Sequence, residues 1–180
     1  MKEHRVSFRY AKALLETARK EGVTDTILND FRNVRHTFEM SRELRLLAAS
    51  PVFQFWRKKK ILHEIFEQEK VSKMTMDFLI LLIEKRRGEL ILSIIYEYEL
   101  QYNILNNRLP IQISSAVEMN DIEKEKVVKR ISDWTKMTIL PKFITDPSIK
   151  GGIFVRIGDW VFDASIKNQL VNLHRKLAEG

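Results

Sequence analysis

In the first 107 positions apolar residues recur every three to four places, the period of an amphipathic helix, and Pro51 is the only proline among them. The spacing predicts six helices. The first covers about 7–21 and stops at Gly22, the residue most at ease in the left-handed conformation that closes helices. In the second, Ile27, Phe31, Val34 and Phe38 share one stripe. Ser41 is a good N-cap for a short third helix, which ends before Ser50-Pro51 because proline disfavours helix in the residue preceding it. A fourth carries Phe55, Leu62, Ile65 and Phe66; a fifth starts after Ser72 and stops at Gly88. The sixth spans about 89–106, with Leu90, Ile94, Leu100 and Leu105 among its apolar positions. Short connections between helices describe a bundle.

The pattern changes at Asn106-Asn107-Arg108-Leu109-Pro110, where turn residues and a proline end the helical half. The expected domains are therefore 1–107 and 108–180. Alternation over 111–117 predicts a strand, followed by a charged helix over 121–137 with Ile122, Val127 or Val128, Ile131 and Trp134 as its buried stripe. A strand over 138–144 leads to the turn Asp146-Pro147-Ser148, and Gly151-Gly152 opens another. Two apolar runs, 153–157 and 160–162, flank Gly158-Asp159 and read as a β-hairpin with a glycine-first turn. Ser165 then caps a terminal helix with Ile166, Leu170, Leu173 and Leu177 on one face. The fold class is α+β: an N-terminal six-helix bundle followed by a small α+β C-terminal domain with a β-hairpin and a terminal helix.

Composition narrows the function. The chain has 180 residues, of which 44% are hydrophobic, enough for packed cores. Its longest apolar stretch, 78–83, falls far short of the roughly 20 residues that span a bilayer. The N-terminus lacks an apolar signal core, and Glu3 and Glu16 argue against a transit peptide, so the protein is expected to act where it is made. Having no cysteine, it can form neither disulfides nor thiolate metal sites. The net charge of +7 is spread over both halves, and its runs, 57–60 and 85–87, lie in helical patterns where they read as solvated faces.

Catalytic signatures are missing: no Walker A loop, no G-x-G-x-x-G, no nucleophile elbow and no H-E-x-x-H. His4, His36, His63 and His174 have no histidine three or four residues away with which to share a metal. Asp159 and Asp163 suit a tight turn and a helix start rather than a catalytic carboxylate pair. Gly151 and Gly152 precede no helix and no P-loop lysine, so they read as a backbone bend. In Phe53-Gln54-Phe55-Trp56-Arg57 aromatics adjoin cations, yet at helical spacing Phe55 reads as core rather than as a nucleic-acid platform. No catalytic, cofactor or metal residue is expected, and neither nucleic acid nor a small-molecule substrate as partner.

Two helices carry more apolar surface than one buried face requires. On the first, Ala11, Leu14, Leu15 and Ala18 form one stripe, while Val6, Tyr10, Ala13 and Thr17 form another with small residues at its centre. On the fifth, Met76, Leu79, Ile80 and Ile83 are accompanied by Thr75, Phe78 and Leu82. Side by side, the spare stripes would make a groove for an amphipathic partner helix. Equally, a six-helix bundle could bury both.

Three segments carry a resemblance. Phe8-Arg9-Tyr10-Ala11-Lys12-Ala13-Leu14 resembles the R-x-YAKAL start of F-type ATP synthase delta subunits and their mitochondrial counterpart, the oligomycin sensitivity-conferring protein. Glu84-Lys85-Arg86-Arg87 resembles that family's E-N-x-R element, and 146–170 its D-P-S-x-x-G-G and I-G-D-x-V-x-D-x-S ending, through Asp146, Pro147, Gly151, Gly152, Gly158, Asp159, Asp163 and Ser165. Lys150 and Ala164 depart from the family's common apolar residue and glycine.

The resemblance implies a non-catalytic stator subunit of a rotary ATP synthase, peripheral at the cytoplasmic face of a bacterial cell membrane and attached there through the complex. It implies an N-terminal domain that binds N-terminal helices of the alpha subunits and a C-terminal domain that engages the b subunits of the peripheral stalk. It assigns the alpha-binding groove to the first and fifth helices, hence to Val6, Tyr10, Ala13, Thr17, Phe78 and Leu82. Competing readings are a basic RNA-binding accessory protein and, last, a hydrolase.

Overall fold

The computed structural model describes residues 2–149, 151–158 and 160–165. The chain divides into two compact units at Tyr102/Asn103. The first holds α1 (Lys2–Glu21), α2 (Thr24–Met40), α3 (Arg42–Ala49), α4 (Phe55–Gln68), α5 (Lys73–Glu84), a 3-10 turn (Gly88–Leu90) and α6 (Ile91–Leu105), the last of which continues past the division. The second holds β1 (Arg108–Ser115), α7 (Asp121–Thr135), β2 (Thr138–Thr145), a 3-10 turn (Pro147–Ile149), β3 (Gly152–Ile157) and β4 (Trp160–Ser165). The expected α+β class is what the chain adopts.

Helix starts in the first unit follow local chemistry. Ser41 Oγ accepts from the Leu44 amide at 3.1 Å, and Ser72 Oγ from the Thr75 amide at 3.4 Å, each satisfying an orphan donor of a first turn. Gly22 follows α1 at φ 70°. The α2 stripe of Ile27, Phe31, Val34 and Phe38 is buried together with Ala11, Leu14, Leu15 and Ala18 of α1.

Two expectations fail here for steric and electrostatic reasons. Gly88 does not end α5; the helix closes at Glu84, and Arg86, at φ 56°, makes the left-handed step. Gly88 is needed instead for close approach, since a Cβ there would lie 2.2 Å from the Ala48 carbonyl oxygen. Phe55 is not core either. It stands exposed in the first turn of α4, and the residue turned inward there is Lys58. The Lys58 ammonium donates to the Ala48 and Ser50 carbonyls at 2.9 and 2.5 Å, so a cation closes the C-terminus of α3. Burial pulls this ammonium below the ordinary lysine range.

In the second unit the strand order is β2-β1-β3-β4. β1 and β2 run parallel, with Ile113 opposite Phe143, and such a pair needs a crossover, which α7 supplies. β3 is antiparallel to β1 and to β4, with Ile157 opposite Trp160. Leu109, Ile111, Ile113, Ile139 and Val155 make the core, against which Val127, Val128 and Ile131 of α7 pack. Asn120 and Glu123 cap α7 reciprocally, at 2.9 and 3.0 Å.

The expected α7 stripe is corrected at both ends, because Ile122 and Trp134 are largely exposed. At 100° per residue Ile122 lies half a turn away from Ile131, on the opposite face, whereas Trp134 is only about 20° from Val127 around the helix and is exposed in the last turn. The terminal helix expected after Ser165 lies outside the described residues, as do Asp159 and His174.

Gly88→Ala should destabilise the first unit by about 1–3 kcal/mol through overpacking, whereas Gly22→Ala, with nothing within 4 Å of the added carbon, meets only left-handed backbone strain of about 1–2 kcal/mol. Urea unfolding checks both. A neutral Gly88→Ala would remove the case for close approach.

Candidate functional site

The apolar surface of α1 and α5 is organised by α5, whose sequence KMTMDFLILLIE is apolar on nearly every side. Such a helix must have its first donors satisfied before it can be buried. Asp30, itself buried on α2, does part of this: its Oδ2 accepts from the Ser72 amide at 2.9 Å and from Thr75 Oγ1 at 2.8 Å. The carboxylate thereby fixes α5 in register with α2. Phe78 then meets Phe31 with ring centroids 6.1 Å apart and Tyr10 of α1 edge-on at 6.4 Å. Phe31 in turn meets Tyr98 at 5.0 Å. The Tyr98 hydroxyl donates to the Thr24 carbonyl at 3.2 Å, and burial above all pushes its pKa up, with Tyr102 and Asp25 adding to the shift.

This arrangement separates residues that the sequence grouped. Val6, Tyr10, Ala13 and Thr17 do share one face of α1: Val6 and Tyr10 are half-buried against the core, while Ala13 and Thr17 are exposed. Thr17 Oγ1 donates back to the Ala13 carbonyl at 2.9 Å, so the face offers no free hydroxyl donor there. Phe78 and Leu82, by contrast, are only 9% and 1% exposed and belong to the core with Thr75. The second stripe of α5 is thus buried by the chain's own helices, and Phe78 meets the α1 face at Tyr10. Sequence reading missed Asp30, whose place between Asn29 and Phe31 looks like an ordinary surface position of a helix. The demand of an apolar helix for first-turn acceptors was the available signal.

The residues of the C-terminal motif hold turns. Asp146 Oδ1 accepts from the Ser148 amide at 2.9 Å, and bonds from the side chain and backbone of Ser148 hold its carboxyl below the usual range. Pro147 opens the 3-10 turn, and Gly151, Gly152 and Gly158 have φ of 114°, 81° and 56°, a region that favours glycine. Asp163 stands opposite Phe154 in the β4–β3 pair, and Ser165 ends β4. Asp146, Asp163 and Arg156 line one shallow cleft of the sheet. Among the described residues no cluster of three or more histidines and carboxylates could hold a metal ion. No described helix is long and apolar enough to cross a membrane.

Comparison with known proteins agrees across the whole chain. The family model described as ATP synthase delta (OSCP) subunit matches residues 6–177. The ATP synthase subunit delta of Chloroherpeton thalassium is 33% identical over 175 residues, covering 97% of this chain and 95% of that protein. That of Chlorobaculum parvum is 36% identical over 171 residues, covering 95% and 94%. A chain from the cryo-EM structure of the Toxoplasma gondii mitochondrial ATP synthase hexamer shares the fold, with a TM-score of 0.77 at 20% identity over 96% of this chain and 97% of that one.

If Phe78 is core, Phe78→Ala should lower stability by about 3–5 kcal/mol. Guanidinium unfolding measures this, and a loss below about 1 kcal/mol would return Phe78 to the surface.

Proposed function

Since the chain belongs to the ATP synthase delta (OSCP) subunit family, we propose that the outward face of α1 is where it holds the catalytic head, by docking an N-terminal helix of an alpha subunit. The protein is a non-catalytic stator subunit of the ATP synthase. Its work is mechanical: it keeps the head still so that torque drives nucleotide chemistry in other subunits.

The observation that supports the α1 reading is the exposed, small centre of an otherwise half-buried apolar stripe. Ala13 lets a second helix come close, and Val6 and Tyr10 offer apolar edges already held by the core, so little side-chain entropy is lost on docking. Phe78 and Leu82 serve as the floor under this surface rather than as its lining. Phe78 helps to set the position of Tyr10 through its edge-on ring contact. Along one side of the stripe lie exposed Arg9, Lys12, Glu16 and Lys20, with Lys12 and Glu16 paired at 3.9 Å, a polar margin of the kind that borders helix-binding patches.

In the same reading residues 1–107 bind the head and residues 108–180 bind the b subunits of the peripheral stalk. The protein then sits peripherally on the cytoplasmic side of a bacterial cell membrane, held there only through the complex.

Ala13→Glu should weaken binding of an alpha N-terminal peptide by at least ~1 kcal/mol, about fivefold, because a charge would be buried on the close-approach face. Thermal unfolding of the variant should match the parent, as residue 13 is exposed. Calorimetry that finds unchanged affinity sinks the α1 assignment. Recovery of alpha subunits, but no b subunit, in a pull-down from washed membranes would sink the C-terminal one.

A further inference from the structure

The longest run of large exposed side chains in the first unit is not on α1 but between α3 and α4. Val52 is 84% and Trp56 57% exposed, with Phe53 and Phe55 nearly half exposed beside them. Four apolar residues within five positions make a contiguous patch of the kind that soluble proteins keep small unless it binds something.

The charge around the patch has one sign. No aspartate or glutamate occurs from 44 to 63, while Arg57, Lys59 and Lys60 stand exposed immediately after the aromatics. Helical spacing sets Lys59 on the face of Phe55 and Lys60 on the face of Trp56, one turn further along. Lys60 meets only Glu64, at 3.8 Å, an exposed pair that releases it at little cost. Gln54 makes no side-chain cap at the start of α4, so the helix end adds its own partial positive charge to the same surface. Lys58, buried beneath and bonded to the end of α3, holds this turn in place.

We propose that 52–60 is a second docking surface, which takes an acidic amphipathic helix of another protein of the complex. The apolar side of that helix covers Val52, Phe53, Phe55 and Trp56, and its carboxylates meet Arg57, Lys59 and Lys60. Two other occupants fit the composition but not the geometry. The Arg57 guanidinium lies over the Trp56 ring, 5.1 Å from its centroid, and the indole N–H is tied to Gln54. Insertion of Trp56 into a bilayer would carry the guanidinium towards hydrocarbon, at the cost of its hydration, and stacking of a nucleotide base would have to displace it. A partner carboxylate pairs with Arg57 where it stands. The inference does not rest on the α1 assignment, because the two surfaces have no residue in common.

The test uses the purified full chain and two labelled synthetic peptides of about five helical turns, one with leucines on one face and glutamates on the other, the second with lysines in place of the glutamates. Fluorescence anisotropy should show binding of the glutamate peptide and at least about tenfold weaker binding of the lysine peptide. Lys59→Glu/Lys60→Glu and, separately, Trp56→Ser should each weaken the glutamate peptide about tenfold with unchanged thermal midpoints. Equal binding of the two peptides, or indifference to both variants, overturns the proposal. So does co-sedimentation with phosphatidylcholine–phosphatidylglycerol vesicles, or binding of a single-stranded RNA oligomer, that the same variants abolish while the peptide is ignored.

Discussion

The buried carboxylate of Asp30 is the contact on which the helical unit depends. It brings together two facts that conflict: α5 is apolar almost all round and must be buried, yet a buried helix start leaves amide groups without partners. By accepting from the Ser72 amide and the Thr75 hydroxyl, Asp30 resolves that conflict and at the same time fixes α5 lengthwise against α2. Each such hydrogen bond contributes on the order of 1 kcal/mol. A shift of α5 by one residue would turn Phe78 away from Phe31 and Tyr10, removing the ring contacts that join α5 to α2 and to α1. The contact that Tyr10 makes beneath the α1 face thus depends on a side chain of another helix.

Local rules were legible in the sequence and neighbour relations were not. Ser41 and Ser72 declare themselves as caps because the bond each makes is three residues long, and the α2 stripe is readable because every member faces one way. The α5 stripes could not be sorted into core and surface, since periodicity says which residues share a face but not what covers it. Lys58 shows the same gap from the other side: a cation within a run of four reads as solvated until the end of α3 is placed over it. Gly88 was readable as a special position, but a stop and a close approach leave the same letter. Only the Ala48 carbonyl at its side tells them apart.

The C-terminal motif illustrates why a family can be recognised from residues that hold turns. Asp146 and the glycines at 151, 152 and 158 are constrained by backbone geometry, through an Asx-type bond and positive φ values that few residues adopt. Such positions tolerate little change whatever the partner does. A docking face like that of α1 asks only for small size and apolar edges, which many sequences supply. Motif strength and functional importance therefore need not coincide along a chain.

A stator must resist a load that is applied over and over, and a single helix docked on a small face is a weak point for such duty. Attachment through several modest contacts on one rigid body changes this. When one contact opens, the others hold the partner nearby, so reclosure behaves as an intramolecular step at high effective concentration and complete release becomes rare. The α1 face and the 52–60 segment lie on the same helical unit and differ in chemistry, one small and apolar, the other aromatic and cationic. Sites of unlike chemistry favour unlike helices. On the proposed reading each admits its own partner, and the helical unit, with α5 joined to α2 through Asp30, carries the load between them.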